Sequence, residues 1–204
     1  LWRLHEAGIE VVPVTGRPAG WCDHIARMWP VAAVIGENGA LIYSYDRRRR
    51  KMRRLSLIDE VQRREGRARL ERIRERVLRE VPASRISADQ AFRIVDLAID
   101  FCEDVPPLPP SSIKAIQAVF EAAGATAKIS SIHVNGWFGR HDKLSMTRRF
   151  AAERLGLDID AAPEAALSLS MMSSWRPKMP AYSSPSARPT EPVSVATSIR
   201  TAGS

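Results

Sequence analysis

Four consecutive residues near the start of the chain have types and an order that could bind a phosphate group. Thr15, Gly16, Arg17 and Pro18 follow the apolar, β-branched run 9–14, which is typical of a buried strand. Pro18 suits the first turn of a helix, because its missing N–H is no loss there. Thr15 and Gly16 should therefore lie where a strand ends and a helix begins, and there free N–H groups and the helix dipole attract an anion. An ordinary strand–turn–helix junction explains the same pattern equally well.

The elements around this junction predict an α/β fold. A helix is expected over 18–29, where an apolar stripe recurs at helical spacing, and a second buried strand is expected over 31–35. Because strand, helix and strand follow one another through short links, the two strands should pair in parallel. Asn38 and Gly39 then separate the second strand from the apolar run 40–43, and an Asn-Gly pair between two such runs predicts a hairpin.

Beyond residue 45 the pattern predicts further helices and antiparallel strands. The expected elements are a helix over 56–80, a strand over 92–101, a helix from Ser111 or Ser112 to Gly124, and strand-like residues over 125–138. The strand over 92–101 alternates, with Asp96 and Asp100 on its polar side, so it should be half-exposed. A last helix should begin after Asp142 as its N-cap. Its inward-facing apolar residues are predicted to be Leu144, Ala151 and Leu155.

The charge of the chain is concentrated in one basic run. Among 204 residues there are 31 Lys and Arg against 23 Asp and Glu, which gives a net charge of +8. Much of the excess lies between Arg47 and Arg54, which we interpret as a solvated loop or strand edge. No aromatic residues interleave with this run, so nucleic-acid binding is disfavoured. No apolar run approaches the roughly 20 residues of a membrane helix, and two distant cysteines, Cys22 and Cys102, favour a reduced, cytoplasmic location.

Three motifs together resemble the haloacid dehalogenase (HAD) superfamily, most of all its sugar-phosphate phosphatases with a large α/β cap. The motifs are Val14-Thr15-Gly16-Arg17-Pro18, Gly36-Glu37-Asn38-Gly39-Ala40 and Gly139-Arg140-His141-Asp142-Lys143. The resemblance covers roughly residues 1–160. It implies an α/β fold with a partial Rossmann-like parallel core, formed by 1–45 and 143–160, and an inserted α+β cap domain, formed by 46–142. Residues 161–204 lack any periodicity and are rich in Pro, Ser and Ala, so we expect a low-complexity, disordered tail.

The resemblance also implies a reaction. Family members are Mg2+-dependent phosphatases that act through an aspartyl-phosphate on a phosphomonoester of a sugar or similar small metabolite. Thr15 and Lys143 are then catalytic, because the hydroxyl donates to the phosphoryl group and the ammonium neutralises its charge. A plain surface lysine is the alternative for Lys143.

The other site residues implied by the resemblance bind the substrate. They are Gly16, Arg17, Glu37, Asn38, Gly39, His133 and Asn135. The turn 37–39 would meet the cap at the mouth of the site, while His133 and Asn135 would contact the leaving group. A mutually satisfied strand pair is the alternative for His133 and Asn135, and a salt bridge at the helix start is the alternative for Arg17.

Two motifs of the family are absent from this chain. The first holds the nucleophilic and acid/base aspartates and belongs upstream of Leu1, which is not a methionine. The fourth supplies the Mg2+ ligands and should follow Asp160, but no acidic residue lies between Glu164 and Glu191. We therefore assign no metal ligand, expect the chain as given to be inactive, and attribute the break after Asp160 to a shift of reading frame.

Two other classes of function stay open. The first is a non-catalytic protein that binds a phosphate ligand in the same pocket. The second is a protein that binds nucleic acid or another anionic surface through Arg47 to Arg54. The sequence does not indicate an oligomeric state.

Overall fold

The computed structural model describes residues 1–161 and 197–200. In chain order the elements are α1 (Trp2–Glu6), β1 (Ile9–Val12), α2 (Ala19–Met28), β2 (Val34–Gly36), a 3-10 turn (Glu37–Gly39), β3 (Leu41–Asp46), β4 (Lys51–Ser56), α3 (Glu60–Glu80), β5 (Arg85–Ile86), a second 3-10 turn (Ala88–Phe92), β6 (Leu97–Asp100), α4 (Pro110–Ala122), β7 (Thr126–Ile129), β8 (His133–Trp137), α5 (Lys143–Phe150), a π-helical turn (Ala151–Leu155) and β9 (Thr197–Arg200). The predicted tail lies outside the described residues, except for residue 161 and β9.

The described strands form antiparallel sheets in the orders β1-β9, β2-β3-β4 and β5-β6-β8-β7. Asn38 and Gly39 both have positive φ, at 57° and 100°, and β3 folds back on β2, so the predicted hairpin is confirmed. The helix predicted over 56–80 begins later, because residue 56 belongs to β4, and Asp59 forms a capping box at its start.

The expected parallel Rossmann-like core is wrong for the described residues. Parallel pairing is limited to one bridge between Val14 and Ile35, with Thr15 N donating to Ile35 O at 2.9 Å. Pro13 supplies the physical reason. Its carbonyl accepts from Ile35 N at 2.8 Å, but it has no N–H to return the ladder bond.

Helices α3 and α4 pack on the four-stranded sheet. Their apolar stripe meets the sheet in one cluster that includes Ile73, Val77, Ile116, Phe120, Ile99 and Val134. The strand predicted as half-exposed is buried on both faces, and that prediction is wrong. Asp96 and Asp100 are 3% and 1% exposed. Asn38 and Asn135 donate to the Asp96 carboxylate, and the backbone amides of residues 102–104 donate to that of Asp100.

The two later helices differ in detail from their predicted forms. Helix α4 begins at Pro110, with no serine side chain capping it. Helix α5 begins with the predicted N-cap, because Asp142 accepts from Ser145 N at 2.7 Å in a capping box. Leu144 was predicted to face inward but is 38% exposed, whereas Ala151 is buried as predicted. Within residues 1–161 and 197–200, no helix has the length and apolarity to cross a bilayer.

Candidate functional site

The predicted phosphate seat lies where the chain leaves β1 and enters α2. Thr15 is buried, and its hydroxyl oxygen accepts from Arg17 N at 3.1 Å. A hydroxyl that accepts one bond still has its own hydrogen to donate. Gly16 N donates to no acceptor within the described residues. This junction therefore offers two donors that a bound anion could accept.

The turn Glu37–Gly39 packs directly against this seat. Asn38 N donates to Thr15 O at 3.2 Å, and a side chain at Gly16 would meet Asn38 Oδ1 at 3.0 Å. On its other side, a Cβ at Gly39 would lie 2.1 Å from Asp142 O and 2.9 Å from Lys143 N. The structure thus brings the three sequence motifs together around one turn. Gly39 is required there because both its φ and the close backbone approach exclude a side chain.

Glu37 is enclosed by backbone donors. Its carboxylate accepts from Ala19 N and Ile94 N, both at 2.9 Å, from Val95 N at 2.6 Å and from Asp96 N at 3.2 Å. Burial and the nearby Asp96 charge raise the pKa of Glu37 from 4.5 to about 7. Because backbone amides of this chain make all of these bonds, the carboxylate ties the turn to residues 94–96 and is not accessible to a ligand.

Asp96 lies at the centre of a buried polar network that the sequence analysis missed. Asn38 Nδ2 and Asn135 Nδ2 both donate to Asp96 Oδ2, at 3.1 and 3.3 Å. Arg93 forms a salt bridge with Asp96 at 2.9 Å and donates to Gly16 O, also at 2.9 Å. The network therefore links the phosphate seat to strands β6 and β8.

Asp89 is the second carboxylate that binds Arg93. It accepts from Arg93 Nε at 2.9 Å and from Ser87 Oγ at 2.7 Å. Burial raises the pKa of Asp89, but the Arg93 charge and these hydrogen bonds outweigh that effect and lower it overall. The i,i+4 spacing of Asp89 and Arg93 is the one local signal that could have indicated the pair.

Two predicted substrate-binding residues, Arg17 and His133, lie close to the Glu103 carboxylate. Arg17 lies 3.4 Å from Asp89 and 3.5 Å from Glu103, and its guanidinium covers the Trp21 ring. His133 Nε2 lies 2.9 Å from Glu103 Oε2 but is not aligned for a hydrogen bond. Burial lowers the pKa of His133. These contacts favour the salt-bridge alternative stated for Arg17.

Lys143 is the first residue of α5 and is partly buried. Burial lowers the pKa of its ammonium, and no carboxylate within the described residues pairs with it. A partly desolvated cation on a segment that packs on the turn beside the Thr15–Gly16 junction could attract an anion. This environment separates Lys143 from an ordinary surface lysine.

A pair of stacked rings precedes Lys143. Trp137 and His141 have ring centroids 5.6 Å apart and an interplanar angle of 28°. They are 1% and 6% exposed, and neither Trp137 Nε1 nor either ring nitrogen of His141 has a hydrogen-bond partner among the described residues. Burial lowers the pKa of His141 to about 4. The ring is therefore neutral at pH 7.

An open groove of about 640 Å3 lies on the α3 side of the same loop. Its walls include Ile58, Gly66, Arg69, Phe138 and His141. None of the site residues predicted from the sequence lines it. We therefore treat it as separate from the candidate phosphate site.

The described residues do not fit a Mg2+ site. Within residues 1–161 and 197–200, no three His, Cys, Asp or Glu side chains lie close enough together to hold a metal ion. Glu37 and Asp96, two carboxylates linked to the phosphate seat through Asn38, are already bound by backbone amides and by Arg93. No role for Mg2+ follows from these residues.

Comparisons with known proteins give matches in structure. No protein-family model matches the chain, and no curated protein matches its sequence. The Thermoplasma acidophilum protein 0175 aligns with a TM-score of 0.56 and 15% identity, over 78% of this chain and 62% of its own. The C-terminal domain of C. albicans trehalose-6-phosphate phosphatase, a HAD-superfamily protein, aligns with a TM-score of 0.51 and 12% identity, over 76% and 52%. The chain has a HAD-like fold.

This chain spans less than two thirds of the length of these structures, 62% of the first and 52% of the second. A trehalose-6-phosphate phosphatase related protein aligns at a TM-score of 0.45 and 17% identity, over 70% of this chain and 57% of its own. At these identities the likeness concerns the fold alone. The resemblance inferred from the three sequence motifs is confirmed at that level.

Proposed function

We propose that this chain forms the phosphate-binding part of a HAD-like phosphatase that hydrolyses a phosphomonoester of a sugar or similar small metabolite. The observation that carries the proposal is the partly buried Lys143, which pairs with no carboxylate among residues 1–161 and 197–200. The backbone at Lys143 packs on Gly39, one residue from the Asn38 amide that bonds to Thr15. The chain segments that carry Lys143 and Thr15 thus contact the same turn.

Each residue has a role that follows from its surroundings. The Thr15 hydroxyl and the Gly16 N–H donate to phosphoryl oxygens, and Lys143 neutralises the negative charge that spreads over them. Burial strengthens this attraction, because the ammonium is partly shielded from water. Asn38 and Asn135 both donate to Asp96, and these hydrogen bonds hold the phosphate seat in place relative to strand β8.

Phosphate binding tests the proposal. Isothermal titration with inorganic phosphate should show one site, and Lys143→Ala should weaken binding at least about tenfold, as expected for loss of a charge-assisted contact. Lys128→Ala is the matched control, because Lys128 is an exposed lysine on β7. Equal affinity in the wild-type chain and Lys143→Ala would refute the assignment.

Hydrolysis tests the inactivity that is expected of this chain. Because the described residues do not fit a Mg2+ site, we expect this chain to bind phosphate without Mg2+-dependent hydrolysis of p-nitrophenyl phosphate. If turnover appears and Lys143→Ala abolishes it, the expected inactivity is wrong and the phosphatase assignment is strengthened.

The basic run does not favour the third class of function. Arg54 pairs with Asp23 at 2.8 Å, and Arg47 donates to Trp29 O at 2.6 Å. Two arginines of the basic run are therefore already bound within the chain. Binding of nucleic acid through Arg47 to Arg54 would show itself as a steep fall in affinity with salt.

A further inference from the structure

The groove between α3 and the loop 138–141 has the size and lining of a ligand pocket. Its volume of about 640 Å3 lies within the range of roughly 300 to 1,000 Å3 that is typical of small-molecule sites. Leu57, Ile58 and Phe138 line it, and each of them is only half-buried. Apolar side chains left partly open inside a concave surface favour a ligand with an apolar body.

Gly66, on the α3 wall of the groove, is not explained by the packing of the helix. It lies inside the 21-residue helix α3, where glycine is destabilising relative to alanine. A Cβ at Gly66 would have Phe138 Cβ as its nearest neighbour at 4.0 Å, which is an ordinary van der Waals contact. Alanine would therefore fit at this position. What the glycine provides instead is open space in the groove beside Phe138.

Two arginines bring positive charge to the groove. Arg69 Cζ lies 3.6 Å from the centroid of the Phe138 ring, and one of its amino groups donates to Ala123 O at 3.2 Å. These two contacts hold the guanidinium in place at the groove wall. Neither Arg69 nor Arg140, on the loop, pairs with a carboxylate within the described residues. Since Glu65 is the one acidic residue among those that line the described groove, the lining has a net positive charge.

We propose that this groove binds an aromatic carboxylate, at a site separate from the phosphate seat. The planar ring packs on Ile58 and Phe138 in the space left by Gly66, and the carboxylate accepts from Arg69 and Arg140. A guanidinium group presents N–H donors in a planar fork that matches the two oxygens of a carboxylate. An aromatic body gains more from the Phe138 ring than an aliphatic one, because the edge of one ring attracts the face of another. The inference does not rest on the proposed function.

Three probes on the full wild-type chain test the two parts of the ligand. They are 2-naphthoate, 2-naphthalenemethanol, which has the ring without the charge, and acetate, which has the charge without the ring. In an NMR titration, 2-naphthoate should bind at least about tenfold more tightly than either of the others, as expected for one charge-assisted contact or one buried ring. The backbone amide resonances of Gly66 and Gly139, which line the groove, should shift with 2-naphthoate. Excess inorganic phosphate should not displace it.

Variants then identify the residues that bind the probe. Arg69→Gln and Arg140→Gln should each weaken 2-naphthoate binding about fivefold and leave 2-naphthalenemethanol binding unchanged. Arg72→Gln is the matched control, because Arg72 is an exposed arginine of α3 that does not line the groove. Gly66→Ala should unfold at a higher temperature and yet bind 2-naphthoate more weakly.

Several results would overturn the inference. They are the absence of 2-naphthoate binding to the wild-type chain, displacement of 2-naphthoate by phosphate, an equal loss of affinity in Arg72→Gln, and unchanged affinity in Gly66→Ala. Absence of binding is also the result expected if a second copy of the chain, or another part of the same chain, fills the groove.

Discussion

Glu37 should make the stability of this chain depend on pH in an unusual direction. Its folded-state pKa is about 7 against an ordinary value of 4.5, so the folded chain binds more protons than the unfolded chain between these values. Stability then falls as pH rises through this window. A shift from 4.5 to about 7 corresponds to about 3 kcal/mol.

The variant Glu37→Gln removes the Glu37 titration from the pH dependence of stability. Glutamine keeps an oxygen that accepts from the amides of residues 94–96, but it has no ionisable group. We expect the difference in the free energy of unfolding between Glu37→Gln and the wild-type chain to be flat below pH 4.5. Above that value it should move in favour of Glu37→Gln, by about 3 kcal/mol once the pH exceeds 7.

Urea unfolding at several pH values measures the difference directly. The comparison of variant with wild-type chain is needed because His141 changes stability with pH in the opposite direction. Its pKa of about 4 lies below 6.5, so its contribution to stability is lost as pH falls through that window. Subtraction cancels this contribution. A difference that is flat with pH, or that moves in favour of the wild-type chain as pH rises, would show that the backbone amides hold Glu37 ionised and would refute the reasoning.

Two further predictions concern the backbone around the site. Gly39→Ala should cost at least about 3 kcal/mol of unfolding free energy, because its Cβ would meet Asp142 O at 2.1 Å. Gly8→Ala is the control, since Gly8 also has a positive φ but lies in open space, and it should cost about 1 kcal/mol. Equal costs in the two variants would refute the close contact at Gly39. Asp142→Ala should lower stability by about 1 kcal/mol through loss of the capping box, and Asp59→Ala on α3 should do the same. Thermal unfolding that is unchanged in either aspartate variant would contradict the assigned cap.

Local signals in the sequence predicted the local features of the site. The Asn38-Gly39 pair gave the hairpin, and Asp142 before an amphipathic run gave the start of α5. Both depend on residues within a few positions of one another. The parallel pairing of the first two strands depended on every residue of the ladder, and Pro13 alone was enough to limit it.

The buried network could not be predicted in the same way. An alternating strand with Asp96 on its polar side normally indicates an exposed face. Here Arg93 pairs with Asp96 locally, but two further donors, Asn38 and Asn135, lie 58 and 39 residues away along the chain. The contact between Arg93 and Gly16 could not be predicted either, because it spans 77 residues. Such contacts become visible only once the chain is folded.

The arginine-rich hairpin has a consequence for self-association. Strand β4 lies at the edge of its sheet, and within the described residues its outer backbone groups have no strand to pair with. An open edge of this kind is a template on which a second chain could add a strand. Exposed Lys51, Arg53 and Arg54 oppose this, because a docking strand would force like charges together or strip them of water. The positive charge of this hairpin therefore opposes edge-to-edge sheet pairing between neighbouring molecules.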